Sequence, residues 1–358
     1  MITSLQISHV RGLEETSMSL GPSVNMWVGD NGAGKTSVLE AVSILSFGRS
    51  FVSSRVRSVI AFDQESLTVF GKVKRGGNDH RLAVQVGRND ERKLRVDGVA
   101  AKGQGALSKI LPVLQITPHI SDMVSGSPSD RRRFVDWGAF HWSDGNGQLF
   151  SCLRRAVLQR NAVLRGGILS EHDLFPWEQQ VAQYGEAVNE WREMFVNDLK
   201  PSFQSFLAEL GLGVELEIVF RSGWGEKGLS EALAANRNRE IKARSALVGP
   251  QRADLEILRE GGRASDTLSR GQRKICNLAL ILAQLSAAGR RGLDPVLCLD
   301  DPGAELDGDS LSRVWKVVVE SRAQVLATGI TVDRIGVNVD QLEHARVFHV
   351  KHGRIVSH

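Results

Sequence analysis

"VGDNGAGKTS", residues 28–37, is the stretch on which the reading of the whole chain turns. It satisfies G-x-x-x-x-G-K-[ST] at Gly29, Gly34, Lys35 and Thr36. The apolar run "VNMWV" leads in as a strand, and "SVLEAVSILSF" leads out as a helix. A chance glycine-rich turn has no need of either flank. Glycines let consecutive backbone N–H groups of Gly29, Asp30, Asn31, Gly32, Ala33 and Gly34 converge on phosphate oxygens, and the helix start at Ser37 adds partial positive charge. Lys35 is placed to reach the β- and γ-phosphates of a nucleotide, and the Thr36 hydroxyl to ligate magnesium.

Far downstream, "PVLCLDDPGAELD" (295–307) supplies a second anchor. Val296, Leu297, Cys298 and Leu299 make a buried strand that ends in two carboxylates. In a parallel sheet Asp300 comes to the strand's C-terminal end beside the phosphate loop, where it can hold magnesium. Asp301 follows on the other face and can polarise an attacking water. Read in isolation, Asp300-Asp301-Pro302-Gly303 is also a plain turn.

A third segment, "TLSRGQRKICNLAL" (267–280), sets Ser269, Gly271 and Gln272 before an apolar helix pattern through Ile275, Leu278, Leu280 and Ile281. A helix start accounts for the serine, a preferred N-cap. It does not account for the glycine and the glutamine.

Around these anchors lie 358 residues, 42% hydrophobic and 24% charged, with a net charge of +4. That length suggests two domains. The mildly basic balance permits an anionic partner without proving one. No apolar run approaches the roughly 20 residues of a membrane span, and "MITSLQISHVRGLEE" lacks the pattern of a secretory signal. Cys152, Cys276 and Cys298 are scattered in apolar settings without C-x-x-C, as expected of buried thiols in a reducing compartment. Segments such as "SLQIS", "SLTVFGKV", "RLAVQVG" and "KLRVDG" alternate as strands with Gly, Asn and Asp turns. Between residues 146 and 245 the pattern becomes helical. Leu149, Leu153, Val157 and Leu164 mark one helix. Trp177, Val181, Tyr184, Val188, Trp191 and Phe195 mark another, spaced alternately four and three apart. "GGILSEHDLFP" separates the two, which predicts an antiparallel arm, and Pro201 is expected to break or restart the second helix. The expected division is therefore a discontinuous head, 1–145 and 246–358, around an inserted lobe, 146–245.

Ser-x-Gly-Gln before a helix, then the Asp-Asp strand end, then Glu305-Leu306-Asp307, resembles an ABC-type ATPase. The resemblance implies an α/β P-loop head with an antiparallel β subdomain, and it explains the third motif. Ser269, Gly271 and Gln272 serve the γ-phosphate held by Lys35 of a second molecule in a head-to-tail dimer, with Asp307 also at the nucleotide. The wide separation of Lys35 from Ser269, filled by a helical arm, resembles the SMC and Rad50 group, although this arm is far shorter and has no C-x-x-C hook. The finer similarity is to the RecF family. It rests on "LQISHVRGLE", "NGAGKTSVLEAVSILSFGRSF", "SGSPSDRRRFVDWGAFH", "LVGPQRADLEI", "LSRGQRK" and "LDDPGAELD", in that order from about residue 5 to 307. Gln115 in "VLQITP" matches the glutamine loop that senses magnesium and γ-phosphate. Three positions depart from the family pattern: Gln251 where a histidine is usual, His119 where an acidic residue is common, and Thr328 where many ABC ATPases carry a γ-phosphate-sensing histidine.

The family resemblance implies an ATP- and Mg2+-dependent, cytoplasmic DNA-binding protein of recombinational repair. It would dimerise on ATP, bind duplex DNA and single-strand/double-strand junctions, and act with RecO and RecR to load RecA at gaps. Two arginine clusters are candidates for DNA phosphates, Arg131-Arg132-Arg133 and the pair Arg55 and Arg57, each of which also reads as a solvated or salt-bridged surface. Two rival classes stand beside the nucleotide-switched clamp. A DNA motor is disfavoured because no helicase motif set occurs, and a transporter subunit is disfavoured by the long insertion.

Overall fold

The computed structural model describes residues 1–53, 55–117, 122–142, 145–166, 171–337 and 342–357. His119 lies outside them. The chain forms two compact units, residues 1–120 with 288–358, and residues 121–287.

The first unit holds two six-stranded sheets. In one, the strand Val24–Val28 lies between Val325–Gly329 and Arg346–Lys351, and Val296–Asp300 lies between Val325–Gly329 and Val113–Ile116. These five strands run parallel, with Arg354–Ser357 added antiparallel at one edge. Val24–Val28, Val296–Asp300 and Val325–Gly329 are buried at every residue, which explains their largely apolar sequences: a parallel sheet is covered on both faces. The other sheet is an antiparallel series from Thr16–Ser19 and Ile2–Ser8 through Ser66–Arg75, Asn78–Gly87 and Arg92–Val96 to Val99–Ala100. Its strands alternate, with Leu67, Val69 and Val73 turned inward. The helix Lys35–Phe47 packs on both sheets. A Cβ at Gly71 would come 2.6 Å from Leu45 of this helix. So enclosed, the helix is buried nearly all round, and its polar side chains Glu40, Ser43 and Ser46 are buried with hydrogen-bond partners.

The second unit is mainly helical: Pro128–His141, Asn146–Arg165, Glu171–Glu209, Leu229–Ala243 and most of Arg270–Arg290, beside a three-stranded sheet of Glu217–Arg221, Asp254–Arg259 and Gly262–Arg263. The expected stripe is present, with Val181, Val188 and Phe195 fully buried. Pro201, however, does not break the helix, which runs through both Pro176 and Pro201. An internal proline costs about 3 kcal/mol. Phe195, Val196, Leu199, Phe203 and Leu207 are all buried around it, and burial of such side chains at about 1.5–3 kcal/mol each offsets that cost.

The unit boundaries also differ from the expected ones, because residues 122–142 and 246–287 belong to the same unit as the helical lobe. The reason is a set of arginine contacts that no local pattern announces. Arg192 pairs with Asp136 and donates to the Pro250 carbonyl, Arg131 joins the two flanking segments by pairing with Asp254, and within the lobe Arg160 holds Glu178 and Glu240 in a buried cluster. Glu240 in turn accepts from the backbone N–H groups of Leu247 and Val248 at 2.6 and 3.1 Å, which fixes the chain as it leaves the helix Leu229–Ala243.

Candidate functional site

The loop between Val28 and Lys35 has the conformation that its glycines predict. Gly29, Gly32 and Gly34 have φ of 154°, 78° and 108°. At Gly29 the requirement is also steric, since a Cβ would lie 2.2 Å from the Val350 carbonyl oxygen. Asp30, Asn31 and Gly32 are exposed, Ala33 is buried, and the Ser37 amide is already bonded to the Gly34 carbonyl. Lys35 is buried and bends back over the loop, donating from Nζ to the carbonyls of Gly29 (2.7 Å) and Asp30 (2.9 Å). Burial holds its pKa below the usual lysine value, against the opposing pull of Asp301, Asp300 and Asp30. A cation so placed, ringed by exposed backbone, can neutralise a polyphosphate.

The carboxylate pair meets this loop from the neighbouring strands. The Thr36 hydroxyl donates to Asp300 Oδ1 at 2.9 Å, and the Thr328 hydroxyl to the same oxygen at 2.7 Å. Burial pushes the Asp300 carboxyl above its ordinary pKa, Asp301 pushes in the same direction, and the two hydroxyls and Lys35 oppose. Asp301 follows in the left-handed conformation (φ 47°, ψ 52°). Thr36 and Asp300 are hard oxygen donors in contact, and among the described residues no cluster of three or more His, Cys, Asp or Glu makes an all-protein metal cage. That donor set fits Mg2+, which is held by one or two protein oxygens and completed by phosphate and water. Gln115 stands on the strand beside Val296–Asp300, opposite Cys298, and its Nε2 is buried without a hydrogen-bond partner among the described residues.

Thr328 does not face outward as a phosphate sensor. Its hydroxyl is committed to Asp300 and accepts from the Asp301 N–H at 3.0 Å. Asp307 is the N-cap of the helix Gly308–Glu320, accepting from the Ser310 N–H and hydroxyl, and the bond from the Ser310 amide, followed by that from its hydroxyl, holds its carboxyl below the usual range.

In the second unit, the structure explains the glutamine that a plain helix start does not. Ser269 Oγ accepts from the Gln272 N–H at 3.3 Å, while Gln272 Oε1 accepts from the Ser269 N–H at 2.9 Å. This is a reciprocal capping box, and S-x-x-Q before an apolar run is its sequence signature. Gly271 receives no such explanation. It is exposed, and among the described residues a Cβ there would meet nothing within 4 Å. Sequence reasoning missed Arg273 and Asn277. Arg273 donates to the Ser125 hydroxyl at 2.7 Å, and the Asn277 side chain accepts from the Met123 N–H at 3.0 Å, which clips residues 123–125 to the signature helix. Gln251 folds back on its own turn, donating to the Val248 carbonyl.

The arginine cluster is largely committed within the chain, which favours its reading as a salt-bridged surface over a row of phosphate contacts. Arg131 grips Asp254 with two bonds of 2.7 and 2.8 Å and donates to the Gly126 carbonyl, Arg132 donates to the Ala253 carbonyl, and Arg133 pairs with Asp130. Of the three, Arg133 has the most exposed side chain of those in ion pairs, at 52% against 13% for Arg131. Arg131→Ala should therefore act on stability, by about 2–4 kcal/mol for a largely buried pair broken on one side. Chemical denaturation checks this. The salt dependence of DNA binding should change by less than one phosphate contact, a log–log slope of about 0.9. Arg55 and Arg57 are exposed, Arg57 with Asp90 at 4.0 Å.

Comparison with known proteins places this geometry. The family described as RecF/RecN/SMC N terminal domain matches residues 1–355. The chain is 35% identical over 356 residues to the DNA replication and repair protein RecF of Marinomonas sp. (strain MWYL1), covering 99% of this chain and 97% of that one. It is 36% identical over 363 residues to the protein of the same name from Pseudomonas syringae pv. tomato, covering 99% and 98%. Among solved structures it resembles the recombination mediator protein RecF-ATP in the RecFOR pathway, with a TM-score of 0.87 at 24% identity, covering 100% of this chain and 97% of that one. It also resembles an SMC head bound to the C-terminal winged-helix domain of ScpA, with a TM-score of 0.60 at 14% identity, covering 100% and 97%. The fold is that of an ABC-type, SMC-like P-loop head with an antiparallel β subdomain and an inserted helical lobe.

Proposed function

The chain belongs to the RecF/RecN/SMC N-terminal domain family and to its RecF branch, and from that membership we propose that it is a cytoplasmic, ATP-dependent DNA-binding protein of recombinational repair and replication restart. The single observation that carries the nucleotide part is the contact of Thr36 with Asp300, which brings the phosphate loop and the carboxylate strand end to one point under Lys35. In this reading the loop amides and Lys35 hold the β- and γ-phosphates of ATP. Thr36, Asp300 and Gln115 hold Mg2+, which when bound neutralises charge on the transferred phosphoryl group. Asp301 accepts a proton from the attacking water. The buried, unpartnered Nε2 of Gln115 supports a residue waiting for a ligand. Ser269 and Gly271 complete the site of a second copy. The open space over Gly271 supports this, because nothing among the described residues calls for glycine there.

On this reading ATP closes a head-to-tail homodimer on duplex DNA at single-strand/double-strand junctions, and hydrolysis resets the clamp. Its partners are RecR and RecO, and through them RecA. The relatives named for DNA replication and repair support this assignment. Among the described residues no helix is long and apolar enough to cross a membrane.

Lys35→Arg tests the site. The longer planar cation cannot take the bend of the lysine onto the Gly29 and Asp30 carbonyls. Some ATP binding should remain while turnover falls at least about tenfold, the scale of one misplaced transition-state charge contact. Turnover at the wild-type rate defeats the assignment. Sedimentation with and without ATP and duplex DNA checks the clamp: a monomer under all four conditions sinks it.

A further inference from the structure

We propose that Thr328 is a positioning residue that sets the geometry of both carboxylates, Asp300 through its side chain and Asp301 through its backbone. The proposal rests on the reading of that pair as the hydrolytic machinery. Thr328 is fully buried and sits directly opposite Asp300 in the register of the two parallel strands. Its one hydroxyl proton goes to Asp300 Oδ1 at 2.7 Å, and a lone pair of the same oxygen accepts the Asp301 N–H at 3.0 Å. A hydroxyl has one proton and two lone pairs, so a single atom ties the two acids together. Thr36 donates to the same Oδ1, and between them the two hydroxyls fix the rotation of the Asp300 carboxylate.

The bond to the Asp301 amide matters because Asp301 occupies the left-handed region, which a non-glycine residue holds only where its surroundings over-determine it. One surrounding is Thr328. Another is Gly303, where a Cβ would come 1.8 Å from the Arg334 carbonyl oxygen, so that the turn is closed from its far side. Threonine is suited to the task, because branching at Cβ limits χ1 and holds the hydroxyl in one direction. A residue in the place of a phosphate sensor is thus turned to the carboxylates.

Thr328→Val keeps shape and burial and removes both bonds. Turnover should fall about tenfold to a hundredfold, the scale of a misplacement near 1 Å at a reacting centre. The ATP dissociation constant, read by calorimetry with Asp301→Asn in parallel, should stay within about threefold, since Lys35 and the loop amides are untouched, and a shift in kcat at constant affinity is the mark of lost positioning. Half-saturating Mg2+ should rise, and Thr328→Ser, which restores the hydroxyl, should recover most of the turnover. Thr328→Ala should match valine, and it replaces valine in the test if the added methyl impairs folding. Wild-type turnover in the hydroxyl-less variants, with Asp301→Asn inactive, overturns the proposal alone. Turnover and affinity lost together also overturn it, because the hydroxyl then acts on nucleotide binding. Wild-type turnover in Asp301→Asn overturns the reading of the site itself.

Discussion

Ser269→Arg is expected to leave ATP binding to the monomer nearly unchanged, to prevent ATP-driven dimerisation and to abolish hydrolysis. Ser269 is exposed at the start of the helix Arg270–Arg290 and belongs to residues 121–287, whereas Lys35 belongs to the other unit. Within its own chain the serine hydroxyl only caps the helix, through the bond from Gln272. Losing that cap costs about 1 kcal/mol, too little to unfold a domain. The large effect comes from the second chain. An arginine would occupy the space in which the partner's γ-phosphate docks on Ser269 and Gly271. ATP can drive closure only by its higher affinity for the closed state, and moving the equilibrium from 1:99 to 99:1 requires a preference of about 10⁴-fold. In a symmetric dimer the substitution erodes that preference at both sites. Mixing Ser269→Arg with Lys35→Arg then makes a sharper test. Their heterodimer has one doubly damaged site and one intact site, so ATPase activity should reappear on mixing. Ultracentrifugation and turnover assays on each variant and on the mixture read the result. If Ser269→Arg alone destroys ATP binding to the monomer, the motif serves its own loop and the head-to-tail reading fails.

Asp301→Asn should bind ATP normally, hydrolyse it about 10²–10⁴-fold more slowly, the range of a lost general base, and accumulate as a closed dimer in ATP. The asparagine keeps the size and the N–H that Thr328 accepts, so the backbone turn survives. What it loses is the capacity to take a proton. Asp300→Asn should behave differently. Its Oδ1 accepts two hydroxyls, and an amide placed there keeps those bonds but removes the negative charge that attracts a cation. Mg2+-dependent binding should weaken before turnover is considered. Equilibrium binding with and without Mg2+, followed by single-turnover hydrolysis, separates the two. If the phenotypes are exchanged, the roles of the two acids are reversed.

Most of the nucleotide site was legible as text because its chemistry is contiguous. Gly29 to Thr36 works through consecutive backbone groups, and glycine is recognisable wherever φ must be positive. The unbroken apolar run Val296–Leu299 likewise announced a strand covered on both faces, ending in acids. The capping box was legible too, as Ser269 and Gln272 three apart, although its glutamine was read as waiting for another molecule. Local spacing therefore marked the α/β character, the glycine-rich loop, the Asp300–Asp301 strand end and the helical stripe from Val181 to Phe195.

Side-chain partners far apart along the chain were not legible. Arg131 to Arg133 read equally as a DNA-binding row, until Asp254 and the Ala253 carbonyl, more than a hundred positions on, took up the first two. Pro201 read as a break, until the burial of Phe195, Leu199 and Phe203 around it outweighed one lost hydrogen bond. Thr328 read as a missing sensor, until the strand register set it against Asp300. The limits of the two units followed the same logic, because Arg192 with Asp136 and the Pro250 carbonyl, and Glu240 with the Leu247 and Val248 N–H groups, tie residues on either side of the expected limits to the helical lobe. A charged side chain shows its kind in the sequence but not its partner. Burial makes the partner obligatory, because an unpaired buried charge costs several kcal/mol, and the folded chain alone decides which group meets that need.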